Sequence, residues 1–142
     1  MKILDSALAI KEQILTDRRH IHRNPEVGFD LPETAAYVQK RLKEMGIKSQ
    51  ICGGPLDKKM RENFKFAGFP DMKASTGVVA TIGQGEPCIL LRADMDALPM
   101  NEAEGLVDFT SQKPGFANMC GHDAHTAMLL GAAKILKDRE IR

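Results

Sequence analysis

The sequence has no tryptophan and a single tyrosine, Tyr37, and its aromatic fraction is 5%. It also has no apolar run approaching the ~20 residues needed to span a bilayer, which excludes an expected membrane helix. Met1-Lys2-Ile3-Leu4-Asp5 is not followed by the apolar core of a secretion signal, because Asp5, Lys11 and Glu12 interrupt it. The three cysteines, Cys52, Cys88 and Cys120, are odd in number and lack the spacing of a disulfide framework. Reduced thiols and a cytoplasmic location are expected. The formal net charge is only +1, so no electrostatic argument favours nucleic acid or an anionic membrane as a partner.

What remains is an ordinary globular composition, 43% apolar and 27% charged over 142 residues, enough for one domain with a real core. Ile3, Ala7, Ile10, Ile14 and Ile21 recur at helical spacing, predicting an amphipathic helix over roughly residues 4 to 22 that Asn24-Pro25 stops. A second helix is expected to start at Asp30 as cap, with Pro32 in its first turn and Glu33 completing a capping box. Ala35, Val38, Leu42 and Met45 form its apolar face, and Gly46 ends it.

Residues 47 to 52 read as a short strand. Residues 53 to 75 lose periodicity and read as an excursion or flap, long for a plain loop, with a short helix over 58 to 66. Gly77–Ile82 and Cys88–Ala93 flank the turn Gly83-Gln84-Gly85-Glu86-Pro87, which predicts a β-hairpin. The second arm is continuously apolar and so is expected to be a central strand covered on both faces, with Cys52 and Cys88 as small buried residues. Thr126–Lys137 predicts a buried helix with Leu129, Ala132, Ala133 and Leu136 on one stripe, running almost to Lys137-Asp138-Arg139-Glu140-Ile141-Arg142. A buried helix so near the terminus suggests that the fold expects more chain. Helices around a strand pair point to a three-layer α/β unit.

The densest chemistry lies in Asn118-Met119-Cys120-Gly121-His122-Asp123-Ala124-His125-Thr126. A thiolate and an imidazole are both good ligands for a borderline divalent ion, and Gly121 permits the sharp turn that would let Cys120 and His122 converge. His125 shares a face with His122 if the helix has begun, and Asp123 and Thr126 suit a helix start. Two other readings stay open: a capped helix with incidental Cys and His, and a cysteine nucleophile with a histidine base. Asp94 and Asp96 end the apolar run, where open α/β sheets place their sites; they point to opposite faces if the strand continues. Ordinary turn acids, or partners of Arg92, explain them equally. His20 and His22, with Arg18, Arg19 and Arg23, read as cations favourably placed at a helix C-terminus.

Four segments in order carry a resemblance. They are Arg18-Arg19-His20-Ile21-His22-Arg23-Asn24-Pro25-Glu26-Val27-Gly28-Phe29, Thr76-Gly77-Val78-Val79-Ala80, Leu91-Arg92-Ala93-Asp94-Met95-Asp96-Ala97-Leu98-Pro99 and Met119-Cys120-Gly121-His122-Asp123-Ala124-His125-Thr126-Ala127. Together they resemble the N-terminal part of the metal-dependent amidohydrolases that include hippurate hydrolases, N-acyl-amino-acid amidohydrolases and indoleacetyl-amino-acid hydrolases. The resemblance implies an α/β fold, an incomplete three-layer zinc-peptidase-like catalytic domain with a mixed sheet and flanking helices. Residues 53–75 would be an insertion carried by some members. Cys120 and His122 would be two ligands of a binuclear zinc or manganese site, and Asp96 would orient a ligand from behind. Asp94 falls where related metallopeptidases have a ligand histidine, and the Arg18–Phe29 segment would pack near the site.

In such enzymes a glutamate from a Glu-Glu pair serves as general base for cleaving N-acyl amino acids. That pair, further ligands and a dimerisation or lid domain lie beyond the motifs present, and none of Glu102, Glu104 or Glu140 matches the pair's context. Two protein ligands cannot enclose a binuclear centre, and a catalytic zinc normally needs three. The 142 residues alone are therefore expected to be inactive. The alternative expectation is a non-catalytic remnant or subunit that self-associates or binds a partner chain through exposed apolar surface.

Overall fold

A computed structural model of the chain describes residues 2–139. Five helices and two strands follow in the order α1 (Ile3–Ala9), α2 (Lys11–Arg23), α3 (Pro32–Glu44), β1 (Ser49–Cys52), α4 (Lys58–Phe66), β2 (Gly77–Ala80) and α5 (His122–Arg139). The result is a mixed α/β unit whose described residues contain one two-stranded sheet.

The single N-terminal helix expected from the periodicity is two. Ile10 leaves the helical basin at φ −108°, ψ 11°, so α1 and α2 meet at a bend, and Ile3, Leu4 and Leu8 of α1 are exposed. Helix α3 begins at Pro32, whose missing N–H costs nothing in a first turn. The predicted cap is wrong, however. Asp30 accepts the Lys73 N–H instead (2.8 Å). The orphan donors of α3 are met by Glu26, whose Oε2 accepts both the N–H and the hydroxyl of Thr34 (2.7 Å each) while Oε1 accepts the Glu33 N–H (3.2 Å). A carboxylate also suits the positive end of the helix. At the other end the Ile47 N–H donates back to Leu42 O (2.9 Å) and that of Gly46 to Lys43 O (2.9 Å). This closure requires the left-handed φ of 71° that Gly46 adopts.

Val38, Leu42, Ile47 and Leu130 form the central apolar cluster, with Met45, Val78, Ile82, Met95 and Ala133 packed against it. It thus sits between α3, α5 and β2. Helix α5 turns Ala127, Leu130 and Gly131 inward, rather than the predicted stripe of Leu129, Ala132, Ala133 and Leu136. Those four are only partly buried. A Cβ on Gly131 would come within 2.8 Å of Ile14 Cδ1, so the glycine permits the close approach of α2 to α5. The predicted end of this helix at Glu140 to Arg142 lies outside the described residues.

The hairpin does not form. β2 pairs antiparallel with β1 in the register Ser49↔Ala80 through Cys52↔Gly77, and residues 88–96 join no strand. Ile89, Leu90 and Leu91 are 82, 84 and 53% exposed. A continuously apolar strand needs neighbours on both edges and layers on both faces, and the described residues supply neither. For the same reason Cys88 is exposed, and Cys52, although paired in β1, is exposed as well, against the expectation that both are buried.

Residues 53–75 include the predicted short helix. Asp57 caps α4 by accepting the Met60 N–H (2.8 Å). The neck is closed by Leu56 N–H to Lys73 O (3.0 Å) and Ser75 N–H to Gly54 O (2.9 Å). Met72, 2% exposed, anchors the segment to the main body, its sulphur accepting the Phe29 N–H at 3.1 Å.

Candidate metal centre

The segments Arg18–Phe29, Leu91–Pro99 and Met119–Thr126, scattered in sequence, converge in space. Ala97 donates its N–H to Glu26 O (2.7 Å), and Leu98 and Ala117 exchange both main-chain bonds (2.9 and 3.0 Å). The buried Asn118 amide donates to Ile21 O (3.1 Å). These bonds hold the chain from Asp94 to Leu98 beside the start of α5.

Helix α5 begins at His122, directly after Gly121 in the left-handed region (φ 86°), where a side chain would be strained. His122 Nδ1 lies 2.9 Å from Asp96 O and 3.0 Å from Asp96 Oδ1. Both are acceptors, so Nδ1 is the nitrogen that donates, and Nε2 is the one left for a ligand. A metal-binding histidine takes this arrangement, with the far nitrogen held by a carbonyl or carboxylate. Cys120, one glycine away, is exposed. The rings of His122 and His125 are 5.5 Å apart, so the two share a face, with His125 exposed. Asp94 serves α5 through its main chain, its carbonyl accepting the Thr126 hydroxyl (3.0 Å), while its carboxylate pairs with Arg92.

The donor chemistry of Cys120 and His122 suits a borderline divalent ion. They do not enclose one: among the described residues no group of three or more His, Cys, Asp or Glu side chains could hold a metal ion.

A buried network behind this pair was not anticipated. His22, read as a cation at a helix C-terminus, is only 6% exposed, and Asp123 1%. His22 Nδ1 is 2.8 Å from Asp123 Oδ2, and its Nε2 is 2.8 Å from Glu102 Oε2. Arg18 Nε adds a bond to Asp123 Oδ2 at 3.2 Å, and the Ser111 N–H donates to Glu102 Oε1. The Phe109 ring meets His22 edge-on at 5.1 Å. Burial pushes the Glu102 carboxyl up, but the His22 and Ser111 bonds outweigh it, so it lies below its ordinary value. No local signal marks these contacts, because the partners are 101 and 80 positions apart. His20, by contrast, stacks on Tyr37 at 3.9 Å, and burial lowers its pKa.

Residues 90–141 match the model of peptidase family M20/M25/M40. The chain is 43% identical over 126 residues to IAA-amino acid hydrolase ILR1-like 4 of Arabidopsis thaliana, covering 87% of this chain and 23% of that protein. It is 41% identical over 133 residues to N-acetyl-L-cysteine deacetylase of Bacillus subtilis, covering 92% and 27%. Its fold superposes on the crystal structure of the Bacillus subtilis YXEP protein, described as a dinuclear metal binding peptidase from the M20 family, with a TM-score of 0.71 and 32% identity. That match covers 94% of this chain and 32% of the other. By these matches the chain is a part-length relative of the M20 peptidases, and it spans about a quarter of the length of the curated relatives it matches. No described helix is long and apolar enough to cross a membrane.

Proposed function

We propose that this chain carries the Cys120–His122 part of a metal-dependent amidohydrolase that cleaves the amide bond of N-acyl amino acids. In this reading it is one portion of a three-layer catalytic domain. The observation that supports it most is the orientation of His122, whose Nδ1 faces two acceptors of Asp96 so that Nε2 is the nitrogen left for an ion, two positions after Cys120. A bound zinc or manganese ion, paired with a second in the complete site, would polarise the amide carbonyl and activate water. Cys120 and His122 would hold the ion, and Asp96 keeps the imidazole in the correct tautomer. Glu102 is engaged by His22 and Ser111 and so is not free to serve as a general base, and no turnover is expected of these 142 residues alone.

Calorimetric titration of the purified chain with zinc or manganese tests this, alongside hydrolysis of N-acetyl-amino acids. The expected result is weak metal binding that Cys120→Ser and His122→Ala abolish, with no hydrolysis above buffer. Undiminished binding by either variant would overturn the ligand assignment. Turnover that chelator removes and zinc or manganese restores would overturn the expected inactivity.

A second reading, association with a partner chain, is favoured by the exposed run Ile89-Leu90-Leu91. Contiguous exposed apolar surface marks interaction sites. A monodisperse monomer in light scattering, with no binding of a hydrophobic dye, would count against it.

A further inference from the structure

We infer that His22 is a positioning residue for the Cys120–His122 pair, acting through Asp123; this rests on the ligand reading above. Successive residues of a helix project about 100° apart, so whatever fixes Asp123 about the α5 axis also fixes the direction of His122, its immediate neighbour. Three holds act on the first turns of α5: Asp96 on His122, the Asp94 carbonyl on Thr126, and His22 with Arg18 on Asp123. Only the third involves a fully buried charge. Asp123 Oδ1 has no hydrogen-bond partner, so Oδ2 carries all of this carboxylate's bonds. Of its two donors, Arg18 is 42% exposed at its side chain and His22 only 7%.

His22 is itself clamped. Each ring nitrogen faces a carboxylate, which only accepts when ionised, so both contacts are satisfied together when both nitrogens donate. The far contact runs through Glu102 to the Ser111 main chain. The row Arg18, Asp123, His22, Glu102 therefore ties the end of α2 and the 102–111 loop to the helix start that presents the ligands. Removing His22 leaves a buried carboxylate with one half-exposed partner, a costly state that the first turn can relieve by rotating towards water. Such a rotation carries His122 away from Asp96.

The test compares the wild-type chain with His22→Ala and with Met72→Ala, a core variant in the 53–75 segment that controls for general loss of stability. Two readouts are taken: nitrogen-15 spectra of the His122 ring, which report the Nδ1–H tautomer without metal, and titration with cobalt(II) alone, followed by thiolate-to-metal absorption. His22→Ala is expected to lose the His122 Nδ1–H signal and to weaken cobalt binding at least about tenfold, whereas Met72→Ala retains both. An unchanged His122 signal in His22→Ala, or an equal loss in Met72→Ala, overturns the inference. A wild-type chain that shows the Nδ1–H signal but binds no cobalt sinks the ligand reading alone, because the ring comparison still tests His22. Should His22→Ala fail to fold, Glu102→Gln carries the test: a smaller loss of the same two signals supports the inference, and no change overturns it.

Discussion

The bond between Asp96 and His122 yields the sharpest quantitative expectation. Removing the group that holds a ligating histidine typically costs about 10- to 100-fold in metal affinity, or about 1.4 to 2.7 kcal/mol. Here Nδ1 has two acceptors on the same residue, the main-chain carbonyl at 2.9 Å and the carboxylate at 3.0 Å. Asp96→Ala removes only the second. The expected loss is therefore at the lower end, about tenfold, and Asp96→Asn, which retains an acceptor oxygen, should lose less. Replacing both acceptors is impossible by side-chain substitution, so no variant at 96 should reach the upper end. Cobalt(II) titration measures the affinity, and the nitrogen-15 tautomer signal of His122 gives an independent check without metal. A hundredfold loss in Asp96→Ala would refute the shared-acceptor argument, and a wild-type ring protonated at Nε2 would refute the orientation itself.

Further outcomes follow from the same contacts. Gly28→Ala should destabilise by about 2–5 kcal/mol, because the site has a φ of +87° and a new Cβ would lie 2.2 Å from Met72 Sδ. In a Met72→Ala background the cost should fall to about 1–2 kcal/mol of backbone strain; additive costs in denaturant unfolding would show that the two residues do not meet. Glu102, held below its ordinary value, should contribute stability that is complete above its unfolded pKa and is lost as pH falls through the lower folded one. Acid unfolding of Glu102→Gln should lack that component, and an unchanged profile would remove it. Replacing Leu90 by Lys should alter stability within about 0.5 kcal/mol while reducing self-association in light scattering. A large drop in stability would mean that the residue is covered.

How much was readable in advance depended on whether an element's partners lie nearby in sequence. Helix α3 and its end at Gly46 follow from local periodicity and backbone preference, so the expected span and the observed Pro32–Glu44 nearly coincide. The Met119–Thr126 motif was legible because its donors crowd into a few positions. The hairpin failed because β2 is claimed by β1, about 28 positions upstream by register, and turn chemistry between 83 and 87 cannot reveal that competition. The role of Asp30 failed similarly: Glu26 reaches over it to the helix start. The cationic stretch around His22 reads as a favourable helix end, and although the resemblance places Arg18–Phe29 near the site, the neighbours of His22, Asp123 and Glu102, are too distant in the chain for any local pattern to name them.

Glu26 divides its labour in a way that affects how mutations there are read. Its side chain organises α3, whereas its carbonyl takes the Ala97 N–H and so steadies the run carrying Asp94 and Asp96. A point substitution erases only the first of these duties, because the carbonyl belongs to every amino acid. Scanning mutagenesis would therefore score Glu26 as a helix residue and miss its service to the candidate site. That second duty would surface only through changes to the backbone itself, such as an ester linkage placed at Ala97 or a one-residue deletion between Pro25 and Val27.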